Sequence, residues 1–146
     1  MLHIAIINGP NLNLLGTREV DIYGAESFDT FFPRLSKRFS HLRLSFYQSN
    51  VEGELINHIH QLRGNTDGIV LNAGGYSHTS IALGDTISAI SIPVIEVHIS
   101  NVLAREEYRK HSTIASRCIG SISGLGLEGY ALALYAFTSR LAAPAA

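Results

Sequence analysis

The sequence predicts an α/β fold: a five-stranded parallel sheet covered by helices on both faces. Three observations predict it. Five short apolar or β-branched runs recur along the 146 residues, separated by stretches of helical periodicity. Most of those runs are apolar at nearly every position, as strands covered on both faces are. Polar residues that a core strand should not carry gather at the C-terminal ends of the runs, where open α/β sheets receive their ligands.

The first strand is His3-Ile4-Ala5-Ile6-Ile7. Residues 8–24 follow it, a connection long for a compact domain and therefore read as an active-site lid loop; it carries Asn11, Arg18 and Tyr23. Phe28, Phe31, Phe32, Leu35 and Phe39 mark one face of a helix, in which Pro33 fits if the helix starts near Thr30 or is kinked. Leu42–Tyr47 alternates as a second strand. Ser49 with Glu52 resembles a capping box ahead of a helix marked by Val51, Leu55, Ile59 and Leu62. Gly68–Asn72 is the third strand, and a helix from about Thr79 to Ile90 is entered at Ser77 or His78. The fourth strand is the run from Ile92 to Ile99, and the fifth is Arg117–Ile122. The last helix, from about Gly126 to Leu141, is apolar nearly all round, which favours burial or a subunit contact. Residues 142–146 read as a frayed tail.

No linker, repeat or low-complexity segment interrupts residues 1–146, so the chain reads as one catalytic domain. The arrangement expected is three-layered and flavodoxin-like, with strand order 2-1-3-4-5. That order opens a crevice between strands 1 and 3. The loops bearing Asn11, Arg18 and Tyr23, then Asn72 and His78, then His98 and Ser100, converge on it.

Composition narrows the function. With 46% hydrophobic and 16% charged residues and a formal net charge of −1, the chain shows no basic surplus for nucleic acid or an anionic membrane. No run approaches a bilayer span, and no basic segment precedes an apolar signal core. Cys118 is the only cysteine, so no internal disulfide forms, and a cytoplasmic protein is expected.

The chemistry centres on the fourth strand. Glu96 and His98 are two apart, so their side chains share a face. A carboxylate and an imidazole in a core strand need partners. Either they satisfy each other as a structural network, or His98 is a general acid or base oriented by Glu96. Asn72, the Ser100 hydroxyl and backbone N–H groups of the following loop suit a carboxylate, while His78, Asp85 and Arg109 suit hydroxyls. Arg105 and Arg109, four apart beside Glu106 and Glu107, also read as a solvated ion-pair face of a helix. Tyr23 is a poor base unless a guanidinium near its oxygen favours the phenolate; Arg18 is the candidate. Asn11 could then stabilise an enolate formed next to a carbonyl.

Other motifs are set aside. Gly124-Leu125-Gly126-Leu127-Glu128-Gly129 matches G-x-G-x-x-G, but no further strand follows to carry the ribose-binding acid. His58 and His60 would point to different faces of a helix, which does not make a metal pair. Cys118 reads as a small apolar residue inside a strand.

Several segments together resemble the type II 3-dehydroquinate dehydratases (type II dehydroquinases). They are Ile7–Glu19, Ile22-Tyr23-Gly24, Gln48-Ser49-Asn50, Leu71–Ser80, and Glu96–Asn101 continued by Arg105–Arg109. The resemblance spans essentially the whole chain. It implies a hydro-lyase that converts 3-dehydroquinate to 3-dehydroshikimate in the shikimate route to aromatic amino acids, without metal or cofactor. By similarity, Tyr23 is the base with Arg18 favouring its phenolate, Asn11 holds a water against the enolate, and His98, partnered by Glu96, protonates the departing hydroxyl. Asn72, Ile99 and Ser100 bind the carboxylate, and His78 and Arg109 bind ring hydroxyls. Asp85 matches an aspartate that reaches the site from a neighbouring subunit of a dodecamer built from trimers. Val20, Val51 and His58 depart from the family, which often has proline, histidine and tryptophan there. The rival reading is a non-catalytic module binding a nucleotide or other anion in the same cleft.

Overall fold

The computed structural model describes residues 1–142. Five parallel strands lie in the order β2-β1-β3-β4-β5. They are β1 (His3–Asn8), β2 (Arg43–Gln48), β3 (Gly68–Asn72), β4 (Val94–His98) and β5 (Gly120–Ser123). The helices are α1 (Val20–Tyr23), α2 (Phe28–Arg38), α3 (Glu52–Gln61), α4 (Ile81–Ala89) and α5 (Glu128–Ala142). The expected sheet, its order and its α/β class are all present. The frayed tail expected at 142–146 lies outside the described residues, except for Ala142, which closes α5.

Every residue of β1, β3 and β4 is buried, and the two-residue alternation of a strand sorts them onto two cores. Ile4, Ile6, Val70, Ile95 and Val97 pack with Phe31 and Leu35 of α2 and with Tyr130, Leu134 and Phe137 of α5. Ala5, Ile7, Ile69, Leu71 and Val94 pack with Leu55 and Ile59 of α3 and Leu83 and Ile87 of α4. Continuing each alternation to the strand's end decides where the polar residues go. Asn8 and Asn72, paired across β1 and β3, follow the first core. Glu96 and His98 follow the second.

Some local expectations are corrected. The second helix begins at Phe28, not near Thr30: Ser27 caps it, its hydroxyl accepting from the Thr30 N–H at 3.2 Å. Pro33 therefore sits past the first turn, where it cannot donate to the Asp29 carbonyl. Burial of Phe28, Phe31 and Leu35, worth about 1.5–3 kcal/mol each, outweighs the roughly 3 kcal/mol cost of that proline. Ser49 does not form a capping box with Glu52; its hydroxyl donates to the Glu54 carboxylate and accepts from the Val51 N–H, because the helix starts at Glu52 itself. A 3-10 segment at Gly74–His78 precedes α4, which is capped by Ser80 rather than by Ser77 or His78. Arg117 and Cys118 precede β5 instead of lying in it.

Where β1 and β3 end, their loops touch. The Gly9 N–H donates to the Asn72 carbonyl at 2.7 Å, and a Cβ on Gly9 would stand 2.4 Å from the Ala73 carbonyl oxygen. Only glycine permits that approach. The crevice of the 2-1-3 switch is closed at its base by this contact.

Candidate active site

One cleft at the C-terminal edge of the sheet is lined by Asn11, Arg18, Tyr23, Asn72, Gly74, Gly75, His78, His98, Ile99, Ser100, Arg105 and Arg109, among others. Three walls make it.

The β4 wall carries the titratable pair. His98 Nε2 donates to Glu96 Oε2 at 3.1 Å, and both side chains are buried. Ser112 Oγ donates to the same carboxylate oxygen and Ser121 Oγ to the other, each at 2.7 Å. Burial acts to raise the Glu96 pKa, but the hydrogen bonds from His98, Ser121 and Ser112 outweigh it and hold the carboxyl below its usual range. Glu96 is thus an anion behind His98 rather than a lining residue. Since a carboxylate only accepts, His98 must carry its proton on Nε2, which leaves Nδ1 for a substrate.

The second wall is the loop of residues 8–24 with the segment after β4. Tyr23 ends α1, whose four residues are none of them buried. The Arg18 guanidinium lies over the Tyr23 ring, 4.0 Å from its centroid, and also pairs with Glu19 at 3.2 Å. The direct partner of the phenolic oxygen is a different cation: Arg105 Nη1 donates to it at 2.8 Å and to Ser100 Oγ at 3.2 Å. Arg105 and Arg109 do not share a regular helix; short 3-10 turns at Val102–Ala104 and Glu107–Arg109 present both to the cleft. Glu106 holds Arg109 Nε at 2.7 Å, so the ion-pair reading of this segment and its place in the cleft coexist.

The third wall joins the ends of β1 and β3. Asn11 adopts a left-handed conformation (φ 69°), which asparagine tolerates better than most residues. Its N–H donates to Asn50 Oδ1 at 2.9 Å, and Gln48 Nε2 donates to the same oxygen and to the Gly9 carbonyl, each at 3.1 Å. Gln48 and Asn50 therefore brace the loop that presents Asn11; sequence reasoning gave them no role beyond the family match. His78 Nδ1 donates to the His111 carbonyl at 2.8 Å. Burial, helped by His98 and Arg109 nearby, lowers the His78 pKa against the raising effect of that bond. His78 is consequently neutral at pH 7, with Nε2 free as an acceptor suited to a hydroxyl.

Asp85 is not in this cleft. It is exposed on α4 and 3.5 Å from Arg117, so a single chain does not bring it to the other candidates. The G-x-G-x-x-G glycines serve the β4 loop: the N–H groups of Gly124 and Gly126 donate to the carbonyls of His98 and Ile99. His58 stacks on Tyr47 at 4.0 Å, and no cluster of metal-ligating side chains occurs among the described residues. No helix among them is long and apolar enough to cross a membrane.

The chain matches the family model described as dehydroquinase class II over residues 2–138. It is 54% identical over 144 residues to a 3-dehydroquinate dehydratase of Caldicellulosiruptor saccharolyticus, covering 97% of this chain and 99% of that one. A 3-dehydroquinate dehydratase of Photorhabdus laumondii is 50% identical over 141 residues, covering 95% and 94%. The crystal structure of type II dehydroquinase from Butyrivibrio crossotus is similar with a TM-score of 0.92 at 44% identity, covering 94% of this chain and 98% of that one.

Proposed function

The chain belongs to the class II dehydroquinase family of hydro-lyases, and on that premise we propose that it dehydrates 3-dehydroquinate to 3-dehydroshikimate, a step of the shikimate route. One observation carries this reading: a tyrosine held by arginine and a histidine held by a buried carboxylate line the same cleft.

The phenolate of Tyr23 removes a proton from the carbon next to the ketone, and the electron pair moves onto oxygen as an enolate. Arg105 and Arg18 offset the charge on the phenolate, one through its oxygen and one across its face. Asn11 stabilises the enolate, directly or through a water. As the enolate collapses, the C–O bond at the β carbon breaks and His98 delivers its proton to the departing hydroxyl, which leaves as water. Glu96 supports the imidazolium before that transfer. Asn72, Ser100 and the backbone of Ile99 hold the substrate carboxylate, while His78 and Arg109 receive ring hydroxyls. Asp85, exposed and outside its own cleft, supplies a contact to a neighbouring copy in a dodecamer of trimers. Neither a metal nor an organic cofactor enters these steps.

The test is turnover of 3-dehydroquinate, read as the rise in ultraviolet absorbance when the double bond conjugates with the ketone and carboxylate. A binding module produces no such rise, and its absence sinks the reading. Borohydride added during turnover is expected to leave activity intact. The two lysines, Lys37 and Lys110, are exposed and do not line the cleft. Covalent trapping of substrate would overturn the enolate route.

A further inference from the structure

A line of hydrogen bonds reaches the cleft from inside the core beneath α5, and none of the steps above uses it. Tyr130 is wholly buried, with Phe28 edge-on at 5.1 Å and Phe31 at 6.1 Å. Its hydroxyl meets two amides, those of Asn8 and Asn72, which stand opposite each other on β1 and β3.

The direction of this line is decided at one end. The Gly74 N–H donates to Asn72 Oδ1 at 3.2 Å, and a backbone N–H can only donate. Asn72 must therefore turn Nδ2 towards Tyr130, to which it donates at 2.9 Å. The phenol oxygen is then an acceptor, so its single hydrogen goes to Asn8 Oδ1 at 2.7 Å. Burial raises the Tyr130 pKa, so that hydrogen stays on the phenol at any pH the fold meets. Asn8 Nδ2 finds no partner among the described residues. Such an orphaned donor weakens the fold, and what the asparagine contributes in return is its acceptor oxygen.

We propose that Tyr130 is a positioning residue for substrate binding: it accepts one N–H of Asn72 and so locks that amide with its remaining N–H, not its oxygen, available to the substrate carboxylate. The inference rests on the assignment of Asn72 to the carboxylate. Without the phenol, the Gly74 N–H alone would hold the amide, and each time it turned over it would offer the carboxylate its own carbonyl oxygen, so that like partial charges would face each other. Tyr130 acts from the opposite side of Asn72 and touches no substrate.

The experiment is a double-mutant cycle with 3-dehydroquinate as substrate. Tyr130→Phe keeps the ring and removes the hydroxyl; it is expected to raise KM about tenfold with kcat within about twofold of the parent. The pH profile of kcat should not move. In an Asn72→Ala background, Tyr130→Phe should raise KM no further. A merely structural hydroxyl would lower Tm alone, or would act equally in both backgrounds, and either result overturns the proposal. If Tyr130→Phe fails to fold, Asn8→Leu removes the terminal acceptor and the orphaned N–H together at similar volume. Left without that acceptor, the buried phenol hydrogen turns to the Asn72 amide and draws its oxygen towards Tyr130, so the Asn72-dependent rise in KM is expected again, and no rise overturns the assignment. Failure of the parent enzyme to turn over would instead remove the underlying reading, and with it this one.

Discussion

The His98 wall and the Tyr23 wall of the cleft are built by opposite means. Glu96 and His98 belong to a buried strand, and the carboxylate is saturated by His98, Ser112 and Ser121. Taking such a pair out of water costs several kcal/mol, and only a complete set of hydrogen bonds offsets that cost. Tyr23 ends a four-residue helix with no buried side chain, entered through Glu19 at φ 34°. It is held by Arg18 across its ring and by Arg105 at its hydroxyl. Partly exposed contacts of this kind are worth about 1 kcal/mol or less each. His98 is thus held by its strand, whereas Tyr23 rides on a segment whose opening costs little.

Substitution of Tyr23, the proposed base, gives the largest effect expected. Tyr23→Phe should lower kcat by about 10²–10⁴-fold, yet change unfolding free energy by no more than about 0.5 kcal/mol. Steady-state kinetics and denaturant unfolding measure the two. Near-normal kcat would move the base elsewhere; a large loss of stability would end the contrast between the walls.

Glu96→Gln probes the other wall and should affect both quantities. Unfolding free energy at pH 7 is expected to fall by about 3 kcal/mol, because His98 and two hydroxyls lose an anionic partner. The sign with pH follows from the depressed pKa. Glu96 binds its proton less readily folded than unfolded, so its contribution is present above the ordinary value of 4.5 and disappears as pH falls through the folded pKa. Denaturation at pH 7 and again near pH 3 should therefore show the gap between parent and variant narrowing in acid. A gap independent of pH would mean that packing, not charge, holds this wall.

Arg105→Met separates the clasp from the residues it clasps. It removes both donors, to Tyr23 and to Ser100. We expect kcat/KM to fall about tenfold and residues 8–24 to be cut faster by protease, with unchanged global stability. Cleavage at the parental rate would show that Arg18 alone suffices to hold the loop.

Much of this was legible in the chain, for definite reasons. Ile4–Ile7, Ile69–Leu71 and Val94-Ile95 are apolar without alternation because both sheet faces are covered, and that pattern announces a parallel sheet. Glu96 and His98 stood out because a two-residue spacing on a buried strand forces a shared face. What stayed hidden depends on contacts remote in sequence. Arg18, five residues from Tyr23, was the obvious cation for the phenol, yet the hydroxyl is met by Arg105, 82 residues away. Tyr130 was concealed by a helix apolar nearly all round, where one more aromatic reads as packing. Asp85 cannot be placed in a cleft by one chain at all. β5 begins at Gly120, three residues later than the sequence suggests, because an edge strand with exposed residues gives little periodicity.

Cys118 offers the mildest test and reports on the rigid wall without touching the chemistry. Burial, with a smaller contribution from the Glu96 charge, pushes its thiol up to about 12, and Sγ donates to the Ile114 carbonyl at 3.4 Å. At pH 8 so little thiolate exists that iodoacetamide should react on the order of 10³-fold more slowly than with an exposed cysteine. Cys118 is half-buried, so its rate also reports how firmly the segment ahead of β5 is held on the side of Glu96. A carboxylate substrate analogue that closes the loop onto the cleft should protect residues 8–24 from protease and leave the Cys118 rate nearly unchanged. If the analogue slowed both to the same degree, the two walls would be opening as one unit, and the division between a fixed His98 and a carried Tyr23 would fail.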